Sequence, residues 1–216
     1  MTMNLLEIIS LISTIVTFLA VIVALFGARL WQFIDKPRLE ILFKLEPPYC
    51  HKTGMGNDKI PVYYFRFIVK NIGKTQAEDC EVFLESIKRK VNGEFIFYKN
   101  FTPVNLKWSG IRESFKRTIF QGKEMYCDLG KIMPHAEYYL SQYVNVTPEE
   151  QLQNKFVFEL PETYYSQWDC LLVGEYIITV SVYSKNTNKI TRDFRLSWTG
   201  VWRDEDTEMF KELNIV

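Results

Sequence analysis

Two histidines and four cysteines are the side chains of this sequence best able to act as nucleophile, base or metal ligand. His51 follows Cys50 in the stretch PPYCHKTGMGND, and His135 follows Pro134 in MPHAEYY. A thiol becomes a catalytic nucleophile when a base stands beside it, yet no sequence signature of a known cysteine nucleophile surrounds any of the four. Cys50, Cys80, Cys127 and Cys170 are spaced 30, 47 and 43 residues apart. Zinc sites bring ligands in pairs about two to four residues apart. The stretch GKEMYCDLGK holds two Gly-Lys pairs without the GxxxxGK[ST] spacing that cradles a phosphate. The acidic run Arg203–Asp206, RDED, lacks the glycine and spaced acids of a calcium loop and suits the start of a helix. These residues predict buried thiols and surface imidazoles in a chain that is not an enzyme and holds no cofactor or metal.

Lys and Arg number 26 and balance the 26 Asp and Glu, so the net charge is zero. The basic footprint that binds a phosphate backbone is missing, which excludes a nucleic-acid partner as the working expectation. No low-complexity run or internal repeat interrupts the chain, and aromatics reach 15 %. After the first 37 residues, enough chain remains for one domain with a sizeable core.

The first 37 residues read as an anchor. Ile8–Ala28 contains no charge over 21 residues. At 1.5 Å per residue it reaches about 31 Å, the thickness of a hydrocarbon core. The preceding MTMNLLE has no Lys or Arg, unlike the basic start of a cleaved signal peptide. Arg29, Lys36, Arg38 and Lys44 follow the run, against only Glu7 before it. Basic flanks stay cytoplasmic, so the sequence predicts a single pass of the cell membrane with Met1 outside and the C-terminal domain in the cytoplasm. Arg29, Trp31 and Lys36 are the expected membrane-interface anchors. The helix should run to about Ile34 and stop at Pro37. Ser10, Ser13, Thr17, Ala20, Ala24 and Gly27 recur at spacings of three and four. They form a small-residue seam suited to packing against a second copy or a partner's transmembrane helix.

Beyond Pro37 the period becomes two. Leu39, Ile41, Phe43 and Leu45 fall on one face of the pattern; Tyr63, Phe65, Phe67 and Val69 do the same in a second stretch, and Cys80, Val82 and Leu84 in a third. That alternation predicts half-buried strands. Asn92-Gly93 predicts a tight hairpin between 81–91 and 94–99. A second hairpin should join 175–184 to 189–198. Shorter strands are expected near 117–121, 125–132 and 155–160, giving seven to nine in all, with short helices in TPEEQLQ (147–153) and near the C-terminus.

The stretch FRFIVKNIGKTQAEDCEVFLE resembles a strand–turn–strand of immunoglobulin-like modules in prokaryotic single-pass membrane proteins. DLGKIMP and GEYIITVSVYS resemble later strands of the same module, and FRLSWTGVWRDED is similar to the close of such proteins. The resemblance implies a mainly β, immunoglobulin-like antiparallel sandwich over 38–203, after the anchor at 1–37 and before a short C-terminal helix and tail at 204–216. It implies no catalytic residue. Within its turn, Gly73 is expected to adopt a left-handed conformation and Ala77 to allow close passage.

The aromatics Tyr138, Tyr139, Tyr164, Tyr165, Trp168 and Trp202 fall outside the expected strands and could contact a partner. The resulting expectation is a membrane-anchored interaction or scaffold module with an unknown protein partner. Two alternatives stay open: a sensor or regulator, for example of stress or phage defence, whose helix self-associates, and a domain that binds a ligand or glycan. Four cysteines without disulfides suit the cytoplasm. The sequons at Asn100 and Asn145 would suit the opposite face in a eukaryote.

Overall fold

The computed structural model describes residues 4–56, 59–99, 101–110, 115–134, 154–160 and 169–216, with backbone only over 28–34. Tyr138, Tyr139, Tyr164, Tyr165, Trp168, His135, Asn100, Asn145 and the helix expected in TPEEQLQ lie outside the described residues. The chain divides into two compact units, Met1–Lys36 and Pro37–Val216.

The first unit is one helix, α1 (Leu5–Ile34). Asn4 caps it: its Oδ1 accepts from the Leu6 and Glu7 amides at 2.9 and 3.1 Å, and Glu7 reaches back to the Asn4 amide at 2.9 Å. This reciprocal arrangement satisfies orphan donors of the first turn. Leu5–Gly27, 23 residues, is apolar and long enough to cross a membrane, and none of it is buried within the protein.

The second unit is a sandwich of two antiparallel sheets. The first contains β1 (Leu39–Leu42), β2 (Cys50–Met55), β3 (Ile60–Asn71), β7 (Lys107–Trp108), β9 (Glu124–Ile132), β10 (Phe156–Phe158) and β11 (Cys170–Leu171), in the order β1-β3-β9-β10-β11, with β2 on β3 and β7 on β9. The second contains β4 (Ala77–Val91), β5 (Glu94–Phe97), β6 (Val104–Asn105), β8 (Arg117–Ile119), β12 (Gly174–Tyr183), β13 (Ile190–Trp198) and β14 (Leu213–Ile215), in the order β14-β13-β12-β4-β5, with β6 and β8 also on β4.

The alternating faces are buried as their period requires. Tyr63, Phe65, Phe67, Val69, Cys80 and Leu84 have no exposed surface. Phe194 of the second sheet meets Phe67 and Phe43 of the first at ring distances of 5.5 and 5.6 Å, so the aromatic layer between the sheets is the core. Both expected hairpins form. Asn92 and Gly93 take φ of 52° and 90°, and Val91 pairs with Glu94; Val182 pairs with Ile190.

Three expectations change. The described residues hold fourteen strands instead of seven to nine. β2 carries no sequence signal of its own, because CHKTGM, at the margin of the sheet, buries only Cys50 and shows no apolar alternation. Residues 204–216 are part of the sandwich unit: helix α2 (Asp206–Glu212) buries Met209, and Leu213 and Ile215 enter the core through β14.

Gly73, finally, does not occupy the left-handed region. The turn is made by Asn71, whose Oδ1 accepts the Gly73 amide at 2.9 Å, as asparagine does in turns. Ala77 is fully buried opposite Ile119, as expected.

One glycine of β9 is demanded by space. A Cβ on Gly130 would stand 2.5 and 2.6 Å from the Phe156 ring and 2.6 Å from the Val157 carbonyl oxygen. The carbonyl belongs to the neighbouring strand and cannot swing away. Gly130→Ala should therefore cost about 3 kcal/mol, at the upper end of overpacking penalties. The check is the urea midpoint of the full chain; an unchanged midpoint would refute the contact.

Candidate functional site

Cys50 and His51 are adjacent on β2, so their side chains leave opposite faces of the strand. Cys50 pairs with Phe65 and is fully buried, while His51 pairs with Tyr64 on the outer face. A Cys50–His51 nucleophile pair is thereby ruled out. The other thiols, Cys80, Cys127 and Cys170, are also free and buried. Burial pushes Cys50 up to about 12 and Cys170 up to about 11, and raises Cys80 and Cys127 as well. Nearby carboxylates, Asp206 and Glu46 around Cys50, act in the same direction. Among the described residues, no three His, Cys, Asp or Glu side chains gather where they could hold a metal ion.

The outer face of the first sheet carries a polar band. Arg66 Nε lies 3.7 Å from Asp128 Oδ1, and Ser109 Oγ donates to the same carboxylate oxygen at 2.5 Å. Burial lifts the Asp128 carboxyl above its usual range, while Ser109 and Arg66 pull the other way. One strand pair along, Lys131 contacts Glu159 at 2.5 Å and lies 5.9 Å from the Tyr64 ring centroid. This band ties β3, β7, β9 and the end of β10 together. Its charges pair with one another and aim at no common point, so it reads as structural.

Trp202 is the one expected contact aromatic among the described residues. Its ring lies 5.1 Å from Tyr63, and its Nε1–H donates to Asp204 Oδ1 at 3.2 Å. Lys52 donates to the same oxygen at 2.7 Å, and Tyr63 donates its hydroxyl proton to the Asp204 carbonyl at 3.1 Å. Trp202 is half-buried and caps this end of the core. The lysine holds the Asp204 carboxyl below its usual range, so the acidic run Arg203–Asp206 is engaged in an ion pair and a helix start.

Sequence reasoning expected β5 as an arm of the first hairpin and missed its exposure. All four of its residues are exposed, with Phe95, Ile96 and Phe97 at 37, 51 and 60 %. Among the described pairings β5 bonds only to β4, which leaves its other edge as a row of backbone donors and acceptors. Lys88 Nζ sits 4.5 Å over the Phe97 ring. The signal was present in the apolar run EFIF beside the hairpin turn, but a core strand gives the same pattern.

In α1, Thr17 Oγ1 donates to the Ser13 carbonyl at 2.8 Å and Thr14 Oγ1 to the Ser10 carbonyl at 2.9 Å. Of the seam of Ser10, Ser13, Thr17, Ala20, Ala24 and Gly27, Thr17 thus spends its hydroxyl proton inside the helix. A Cβ on Gly27 would meet only Val23 at 3.6 Å, so this helix does not itself require a glycine there. Of the interface anchors, Lys36 is exposed at the end of the unit, and the side chains of Arg29 and Trp31 lie outside the described residues.

No protein-family model matches this chain, and no curated protein matches it.

Proposed function

We propose that this protein is a membrane-anchored, non-enzymatic interaction module: α1 crosses the cell membrane once, and the sandwich, an immunoglobulin-like one on its sequence resemblance, works at the cytoplasmic surface. The observation that carries the reading is the sequence of units. A 23-residue apolar segment, nowhere buried, precedes a β unit that packs its own core from Pro37 onward. A bare apolar helix of that length is stable in a bilayer and costly in water. Four buried free thiols support the cytoplasmic side, as does the bias of Lys and Arg toward the C-terminal flank.

The surface offered to a protein partner is the free edge of β5. An extended partner segment can add there as a further strand, with backbone hydrogen bonds giving affinity and Phe95, Ile96 and Phe97 giving selectivity. Tethering concentrates the site at the membrane, where a weak contact is enough.

Alkaline carbonate washing should leave the chain in the membrane pellet, and protease should remove a C-terminal tag only from the cytoplasmic face. A photocrosslinker at Phe97 should yield one discrete adduct in intact membranes. Phe95→Pro, which removes an outward-facing strand donor and leaves the bonds to β4 in place, should abolish that adduct. Release by carbonate would refute the anchor. An adduct unaffected by Phe95→Pro would refute strand addition.

The seam on α1 supports a second reading, a sensor whose helices pack together. Ala20, Ala24 and Gly27 replaced jointly by leucine should remove disulfide-independent dimer crosslinking if that reading is right.

A further inference from the structure

Three turns of the sandwich and the segment entering β1 converge at the end where the chain enters it. Ile72 N donates to the Arg38 carbonyl at 2.8 Å, and Gly122 N to the Asn71 carbonyl at 2.9 Å. Thr187 Oγ1 donates to the Pro37 carbonyl at 2.9 Å, and Asn186 Nδ2 to the Gln76 carbonyl at 3.0 Å. Residues 37–38, 72–76, 120–123 and 184–189 are thus joined into one platform. They carry Arg38, Lys74, Lys123, Lys185 and Lys189 and no Asp or Glu, in a chain whose net charge is zero. All five cations are exposed. Lys185 and Lys189 reach back to Glu78 and Glu85 at 3.6 and 3.7 Å, on the strand behind the turns. Two large apolar side chains stand out from the same turns, Ile72 and Phe120, 45 and 61 % exposed.

We infer that this end of the sandwich is a second membrane contact, a platform that binds the anionic headgroups of the bilayer which α1 crosses. The inference rests on the anchored reading above and adds a lipid preference and a site. Cations attract anionic headgroups, and exposed isoleucine and phenylalanine at loop tips insert beside them. Chain connectivity keeps Pro37 within reach of the headgroups, because a single peptide bond joins it to Lys36. The cytoplasmic leaflet holds the anionic lipid, which agrees with the orientation proposed. The β4–β5 turn lies at the other end of β4, fourteen residue steps from Ala77 and so about 45 Å away, and leaves the β5 edge open to its partner.

The test uses the full chain in vesicles of phosphatidylcholine, with and without phosphatidylglycerol. Single cysteines replace Phe120, Phe97 or Val16 and carry an environment-sensitive fluorophore; the four native thiols are buried and do not compete. Spin-labelled lipid should quench the label at 120 in anionic vesicles and leave the label at 97 bright. Lys74→Glu, Lys123→Glu and Lys185→Glu together should remove that quenching, since each cation near the surface is worth roughly a fivefold change in partition.

A quenched label at 16 with an unquenched label at 120 overturns the platform and leaves the anchor standing. Equal quenching at 120 in neutral vesicles overturns the preference for anionic lipid. A blue-shifted but unquenched label at 120 overturns it in favour of a protein contact. If the label at 16 is also unquenched, the anchored reading fails first and the platform with it.

Discussion

Replacing Asn71 by leucine should destabilise the sandwich by about 4 kcal/mol. Asn71 follows the last core residue of β3, Val69, by two positions and has no exposed surface. Its Oδ1 accepts from the amides of Arg38 and Gly73 at 3.2 and 2.9 Å. Its Nδ2 donates to the carbonyls of Thr75 and Ile119 at 2.7 and 2.9 Å. All four side-chain valences used here serve backbone groups of different segments: the entry to β1, the β3–β4 turn and the end of β8. Leucine fills a similar volume but leaves two donors and two acceptors unpaired. Each buried orphan costs about 1–3 kcal/mol, reduced where water can reach it. For a domain of this size, about 4 kcal/mol lowers the melting temperature by roughly 10 °C or more.

Asn71→Asp separates hydrogen bonding from packing. An aspartate keeps both acceptor bonds, loses both donor bonds and sets a buried carboxylate against two carbonyl oxygens. It should be at least as damaging at neutral pH and should improve as the carboxyl protonates in acid. The measurement is the melting temperature of each variant between pH 5 and 8. An Asp variant as stable as wild type at neutral pH would overturn this account.

The second large effect is alkaline destabilisation through the cysteines. An ordinary thiol ionises near 9, whereas in the folded chain Cys170 is pushed up to about 11 and Cys50 up to about 12. Both are raised groups that fold in their protonated form. Their contribution is complete below the ordinary thiol value, because there both states hold the proton. Above it the unfolded chain releases the proton and the folded chain does not, so stability falls until the folded thiols ionise too. At pH 10 each of these two thiols should therefore subtract about 1.4 kcal/mol, close to 3 kcal/mol together. Cys80 and Cys127 shift in the same direction and deepen the loss.

The unfolding free energy measured from pH 8 to pH 11 should show this slope. Cys170→Ala should flatten it by one proton's worth between pH 9 and 11. The same burial should make all four thiols inert to a thiol reagent at pH 8 until urea is added. A rapid one-thiol reaction in the native protein would refute this and reopen the case for a cysteine nucleophile.

Both effects show where sequence reading stops. NIGK displayed Asn71 and Gly73 together, and conformational freedom at the glycine was the local explanation available. Two of the groups that fix the Asn71 side chain, at residues 38 and 119, are near it only after folding. Trp202 looked free in the same way, because Tyr63, which meets its ring, and Lys52, which holds its partner Asp204, lie on other elements.

The sequence by itself determined what depends on near neighbours along the chain. An uncharged 21-residue run needs no partner to declare its length and polarity. Period-two alternation marks β1, β3, β4, β12 and β13, since each face of a strand meets one environment. Asn92-Gly93 specifies its hairpin through backbone conformations open to those two residue types. Only the tertiary structure decided β6, β7, β11 and β14, strands of two or three residues. Such strands are too short to carry a period and exist because a longer neighbour supplies their hydrogen bonds. It alone also decided that Cys50 and His51 part to opposite faces, and that cations scattered from Arg38 to Lys189 stand on one surface. Convergence of that kind is a property of chain crossings between sheets, for which no local pattern is required.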